Sequence, residues 1–208
     1  MLGSMIHHFL PGGKDAPVLL LLHGTGGNEN DLLELGRSMY PNASLLSPRG
    51  NILENGMPRF FRRLAEGIFD EADLIFRTNE LADFVAATLQ ENGFNDRPIV
   101  AVGYSNGANI AASLILLRPE VLAGAILLRA MVPLVPKMLP DITDTQVFLA
   151  GGERDPIIPP ENTERLASML KEAGASVHLH WTAAGHELHS TEIAAAKDWL
   201  AATFPTES

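Results

Sequence analysis

The sequence predicts an α/β protein with a mostly parallel central sheet flanked by helices on both faces. Two patterns predict it. Short, almost wholly apolar runs alternate with longer segments of helical spacing. The residues with catalytic chemistry fall directly after the apolar runs, where an open α/β sheet places its ligand crevice. Runs that are apolar at every position, rather than at alternate ones, are what strands covered on both faces require.

In chain order the expected strands are residues 18–22, 43–47, 99–103, 124–128, 146–151 and 176–181. The expected helices are 30–40, 73–92, 106–117, 160–173 and 190–204, with Gly93 and Gly174 after their last turns and Ser190 before its first. The stretch 47–71, rich in Gly, Pro, Arg and Phe, lacks either period and is expected as a long loop or short helix beside the sheet's carboxyl edge. No repeat, linker or low-complexity segment divides the chain, so residues 1–208 are expected to form a single domain. At 208 residues and 46% hydrophobic content, such a domain buries a full core and has room for a pocket.

Composition removes several function classes. Against 15 basic residues stand 25 acidic ones, a formal charge of -10 that repels nucleic acid and anionic lipid surfaces. The absence of cysteine removes disulfides, thiolate metal sites and a catalytic thiol, so covalent catalysis must use an oxygen or an amine. No metal-ligand set is expected. Residues 1–11 lack a basic region followed by an apolar run, and the apolar stretch 121–135 is interrupted by Arg129 and Pro133. Neither membrane insertion nor secretion is expected, and a cytoplasmic location is the default.

After the apolar run 99–102 comes Gly103-Tyr104-Ser105-Asn106-Gly107, then small residues at helical pitch. A G-x-S-x-G sequence between strand and helix is the turn that lifts a serine hydroxyl above the sheet in an α/β-hydrolase fold. Serine attacks poorly unless a base removes its proton and an acid orients that base, and in this fold they follow in the order Ser, Asp or Glu, His. Asp155 follows the run 147–151, and His186 follows 177–181. Asp141 and Asp144 precede their strand and lie at its wrong end, whereas Glu153 shares the loop of Asp155. His178 and His180 share one strand face and read as packing or surface residues. His189 remains the competitor as base, although Gly185 permits a tight turn that presents His186.

A tetrahedral oxyanion needs two backbone N–H donors, one after the nucleophile and one from the loop after an early strand. Asn106 supplies the first and Thr25, in His23-Gly24-Thr25-Gly26-Gly27, the second. Alone, that loop reads as a glycine turn; beside the triad it reads as a donor loop, with His23 as a brace. Phe60, Phe61 and Met131 are candidate walls of the substrate pocket, with core packing as the alternative. Arg129 follows a strand end, where it serves either a substrate carboxylate or, as the simpler reading, a structural ion pair.

Four segments carry a family resemblance: Leu22-His23-Gly24-Thr25-Gly26-Gly27-Asn28-Glu29, Gly103 to Ala111, Gly152-Glu153-Arg154-Asp155-Pro156 and Gly185-His186-Glu187. Together they resemble the phospholipase/carboxylesterase family of α/β-hydrolases, which includes acyl-protein thioesterases and dienelactone-hydrolase-like enzymes. The segments 58–67 and 128–134 look most like bacterial hydrolases associated with hydroquinone and catechol stress. The resemblance implies a small, cofactor-free esterase acting on small-molecule esters or thioesters, often a homodimer, with its triad and oxyanion loop at the positions above. Thr25 and Asn106 depart from the thioesterase branch, which tends to carry leucine and glutamine there. Peptidase or acyltransferase chemistry on the same triad, and a silent binding module, are the alternatives.

Overall fold

The computed structural model describes residues 5–205; residues 1–4 and 206–208 of the expected domain lie outside the described residues. The elements run β1 (His7–Leu10), β2 (Val18–Leu22), α1 (Leu33–Met39), β3 (Ser44–Pro48), β4 (Ile52–Glu54), β5 (Met57–Arg59), β6 (Arg63–Ala65) and β7 (Ile68–Phe69). They continue with α2 (Glu71–Asn92), β8 (Ile99–Tyr104), α3 (Asn106–Leu117), β9 (Gly124–Leu128), β10 (Gln146–Gly152), α4 (Pro160–Glu172), β11 (Ser176–Thr182) and α5 (Ser190–Thr203). Seven strands form one sheet in the order β1-β3-β2-β8-β9-β10-β11. All neighbours are parallel except the β1–β3 pair.

Alternation along the strands feeds two cores. Val18, Leu20 and Leu22 of β2 join Ala101, Leu127 and Leu149 on the face covered by α2, α3 and α4. Leu19 and Leu21 join Val102, Ile126 and Phe148 on the face covered by α1 and α5. Each fully buried Leu, Ile, Val or Phe contributes about 1.5–3 kcal/mol relative to exposure, so both faces hold the strands and apolar runs are the result. Among the described residues no helix is long and apolar enough to cross a membrane.

The sheet order sets the site's position. From β2 the chain proceeds to β3 on one side, whereas from β8 it proceeds to β9 and β10 on the other. β2 and β8 are therefore adjacent at the point where the winding reverses, with Leu22 opposite Gly103. The loops leaving these strands start side by side, the geometry that opens a crevice at a carboxyl edge.

Three expectations need correction. The stretch 47–71 holds two small antiparallel hairpins, β4–β5 and β6–β7, rather than a long loop or short helix. The first turns at Asn55-Gly56, both residues at positive φ (52° and 81°), as a tight two-residue hairpin demands. Helix α1 starts at Leu33 rather than at residue 30, because Asn28 Oδ1 accepts the Asn30 N–H at 2.9 Å and holds a local turn instead. Ser190 begins α5, and the capping position belongs to His189, whose N–H donates to Glu192 Oε1 at 2.6 Å. The antiparallel strand β1 was not expected.

Helix α3 packs against the end of β2 at Gly107. A Cβ there would overlap the Leu22 carbonyl and lie 2.6 Å from the His23 carbonyl oxygen. Gly107→Ala is expected to lower the unfolding free energy by about 1–3 kcal/mol through overpacking, against the roughly 1 kcal/mol that alanine adds at an open helical position. A urea titration reads the sign.

Candidate active site

Ser105 leaves β8 at φ 51°, ψ -112°, in the strained turn before α3. Side chains do not fit on either flank: a Cβ at Gly103 would lie 2.6 Å from the Gly107 carbonyl oxygen and 2.7 Å from the Ala108 backbone. The Ser105 N–H donates to Leu128 O at 2.9 Å and its carbonyl accepts the Asn109 N–H at 3.0 Å, which fix the turn to β9 and to α3. Strain of this kind costs about 1–3 kcal/mol and is retained where the surroundings determine the backbone.

Three loops converge on that hydroxyl. His186 Nε2 lies 2.9 Å from Ser105 Oγ, and His186 Nδ1 lies 2.8 Å from Asp155 Oδ2. The carboxylate can only accept, so Nδ1 carries the proton and the Nε2 lone pair faces the hydroxyl. Asp155 Oδ1 accepts the Ile157 and Ile158 N–H groups at 2.8 and 3.0 Å, which leaves Oδ2 to the imidazole. The carboxylate is almost sealed from solvent, and the imidazole is partly exposed.

The His186 loop is itself held. Arg129 Nε donates to Gly185 O and Nη2 to Glu187 O, each at 2.9 Å, so one guanidinium grips both neighbours of the imidazole residue. Its other donors meet both oxygens of Glu192, and Thr182 Oγ1 donates to the same carboxylate at 3.0 Å. Tyr104 Oη donates to the His186 carbonyl at 3.1 Å. Arg129 stands at φ 59°, where its N–H reaches Ala150 O.

Thr25 and Asn106 face the same cleft as Ser105. Among the described residues no protein acceptor takes their N–H groups, although the adjacent Gly26 and Ser105 amides are used at 2.9 Å each. The loop is braced from behind by His23, whose Nδ1–H donates to Gly24 O at 2.7 Å while Nε2 accepts the Gly50 N–H at 3.0 Å. Both ring nitrogens are thus occupied by backbone. Burial, the largest influence, pushes His23 below the usual histidine range.

The cleft has a volume of about 220 Å³ and is walled by Met131, Phe69, Ile157 and Ile158, with Arg59 and Arg63 as its cations. Met131 is where the sequence placed it. Phe60 and Phe61 are not walls: both are buried in the core, Phe60 against His23 and Phe61 edge-on to Phe69 at 4.9 Å. Arg129 does not line the cleft either: it is buried, and four of its five N–H groups meet Glu192 and two carbonyls. Sequence reasoning missed Arg59, Arg63 and Phe69, which the unanticipated hairpins carry to the cleft; the Asn55-Gly56 turn signal was the available clue. The rival bases lie elsewhere: His189 caps α5 and its Nδ1 lies 3.0 Å from Thr191 Oγ1, while His178 and His180 stack on Phe148. Asp141 is engaged with Thr143.

Comparison with known proteins gives a consistent set of relatives. The family model described as phospholipase/carboxylesterase matches residues 9–204. MhqD of Bacillus subtilis, described as a hydrolase, is 50% identical over 192 residues, covering 92% of this chain and 96% of its own. Acyl-protein thioesterase 1 of Mycosarcoma maydis is 28% identical over 187 residues, covering 77% and 78%. The crystal structure of a Bacillus cereus carboxylesterase superposes with a TM-score of 0.94 at 52% identity, over 96% of this chain and 95% of that one.

Two outcomes follow from this geometry. Arg129→Met strands the Glu192 charge in the interior and is expected to cost about 3–5 kcal/mol, whereas Arg129→Met with Glu192→Leu recovers more than half of that loss; chemical denaturation of the three proteins checks it. A histidine whose folded pKa lies below its unfolded value contributes fully above about pH 6.5 and loses that contribution as pH falls toward the folded value. His23→Gln is therefore expected to lower Tm at alkaline pH and to flatten the fall in Tm between about pH 7 and pH 5. An unchanged slope contradicts the assignment of His23 as a buried neutral brace.

Proposed function

This chain belongs to the phospholipase/carboxylesterase family and is a hydrolase of the esterase type, and we propose that it cleaves small carboxylic esters through an acyl intermediate on Ser105. One observation carries the assignment: the unbroken hydrogen-bonded line from Ser105 Oγ through His186 to Asp155, with each step below 3 Å. In the proposed cycle Ser105 attacks the ester carbonyl while His186 Nε2 accepts its proton. Asp155 stabilises the imidazolium and keeps its orientation.

The carbonyl oxygen gains charge as it becomes tetrahedral. The N–H groups of Thr25 and Asn106 receive it, each such donor contributing about 2.7–4 kcal/mol to the transition state. Asn106 is also the first residue of α3, so the helix's positive end adds to the same field. His186 then protonates the leaving alkoxide or thiolate, and water repeats the sequence on the acyl-enzyme.

Size selects among substrates. A cleft of about 220 Å³ is below the roughly 300–1,000 Å³ usual for ligand sites, which favours short acyl and alcohol groups over long acyl chains. The proposal includes one domain working without a cofactor in the cytoplasm, either alone or as the homodimer that its resemblance to the family suggests.

Ser105→Ala is expected to lower kcat on p-nitrophenyl esters by about 10^4–10^6 with Tm essentially unchanged. Rates on a series of increasing acyl length are expected to peak among the short chains. Retained turnover in the Ser105→Ala protein would remove the nucleophile assignment.

A further inference from the structure

The cleft contains charge that ester hydrolysis does not need. Arg59 and Arg63, from β5 and β6, both line it. Arg59 is 3% exposed; its Nε meets Phe61 O and Glu54, and its Nη1 donates to Thr25 Oγ1. Arg63 uses Nε and Nη2 on Glu54. Among the described residues no protein acceptor takes Arg59 Nη2 or Arg63 Nη1. Among the described residues the sealed side-chain atoms lacking partners are Arg77 Nε and Asn106 Nδ2, so neither of these two arginine nitrogens is fully sealed from solvent.

Two guanidinium charges thus share one carboxylate. Glu54 is not part of the cleft lining, and the acid that is, Glu66, is exposed, where water screens it. Burial and then the charge of Arg63 push Arg59 below the usual arginine range, and both outrank the opposing influence of Glu54. A buried cation with a like charge nearby and an unpartnered guanidinium nitrogen is stabilised by an anion that accepts from it. Thr25 connects the pair to the oxyanion loop through its bond to Arg59, so an anion held there lies beside the reacting carbonyl.

Building on the esterase reading, we propose that the substrate carries a carboxylate in addition to the ester, and that Arg59 and Arg63 hold it. The cleft's small volume suits this: a compact ester-acid gains from one charge-assisted contact what a long acyl chain gains from apolar burial. Arg59 also positions Thr25, so Arg63 is the residue whose replacement isolates recognition.

The test compares two pairs of esters of similar shape. Monoethyl succinate and ethyl levulinate differ by a carboxylate against a methyl ketone in the acyl part; acetoxyacetate and acetoxyacetone differ in the same way in the alcohol part. Hydrolysis is followed by pH-stat with the whole protein. In at least one pair the acid is expected to be preferred about tenfold in kcat/KM at low salt, with the preference shrinking as ionic strength rises. Arg63→Gln is expected to cut that ratio about fivefold or more through KM, and Arg63→Lys to restore part of it. Thermal unfolding of each variant establishes that it is folded. Hydrolysis of the neutral esters without preference for either acid overturns this proposal and leaves the esterase reading standing; so does a ratio that Arg63→Gln leaves unchanged. A wild-type protein that cleaves none of the four esters, nor p-nitrophenyl acetate, removes both.

Discussion

Arg129 and Glu192 form an ion pair with neither side chain exposed to solvent, and the order of the active-site loops rests on it. Desolvating two such charges costs several kcal/mol each, which only close geometry and full hydrogen bonding offset. Here the offset is assembled from four places in the chain: the guanidinium at the end of β9, the carboxylate in the first turn of α5, the Thr182 hydroxyl at the end of β11, and the carbonyls of Gly185 and Glu187. The last two flank His186. The ion pair therefore holds the loop that carries the imidazole, and Arg129 is turned to that loop and away from the cleft.

The same principle, fixed groups holding one reacting atom, recurs around Ser105. Its φ of 51° is maintained by the close approach of Gly103 to Gly107 and Ala108 and of Gly107 to β2. The Asp155 carboxylate is oriented by two backbone amides before it meets the imidazole. Behind the donor loop, His23 spends both ring nitrogens on backbone. Each of these supports is already in place in the folded state, so the proposed attack by the Ser105 hydroxyl, with the Thr25 and Asn106 amides as oxyanion donors, requires no rearrangement when a carbonyl arrives.

What was legible in the sequence follows from periodicity and local turns. Strands β2, β8, β9 and β10 are covered on both faces, so they appear as unbroken apolar runs, and Ser105, Asp155 and His186 stand just beyond their expected strands. β1 was hidden because a partly exposed edge strand reading His7-His8-Phe9-Leu10 carries no such run. The hairpins of residues 52–69 were hidden because strands of two or three residues are too short for a period; only Asn55-Gly56 signalled one of them. A loop facing the crevice would place Phe60 and Phe61 at the pocket, whereas Arg59, just before them, and Arg63, two residues after, are the ones that face it. The partner of Arg129 is 63 residues away in sequence, and no local pattern announces a pairing at that distance.

The central claim is that Ser105, His186 and the amides of Thr25 and Asn106 act on one carbonyl. A crystal structure of the protein after reaction with a small fluorophosphonate tests it most directly, because the adduct mimics the tetrahedral intermediate. The account predicts phosphorus bonded to Ser105 Oγ, with the phosphonyl oxygen about 2.7–3.1 Å from both amide nitrogens. An adduct on another residue, or a phosphonyl oxygen turned away from Thr25 and Asn106 into solvent, would contradict it.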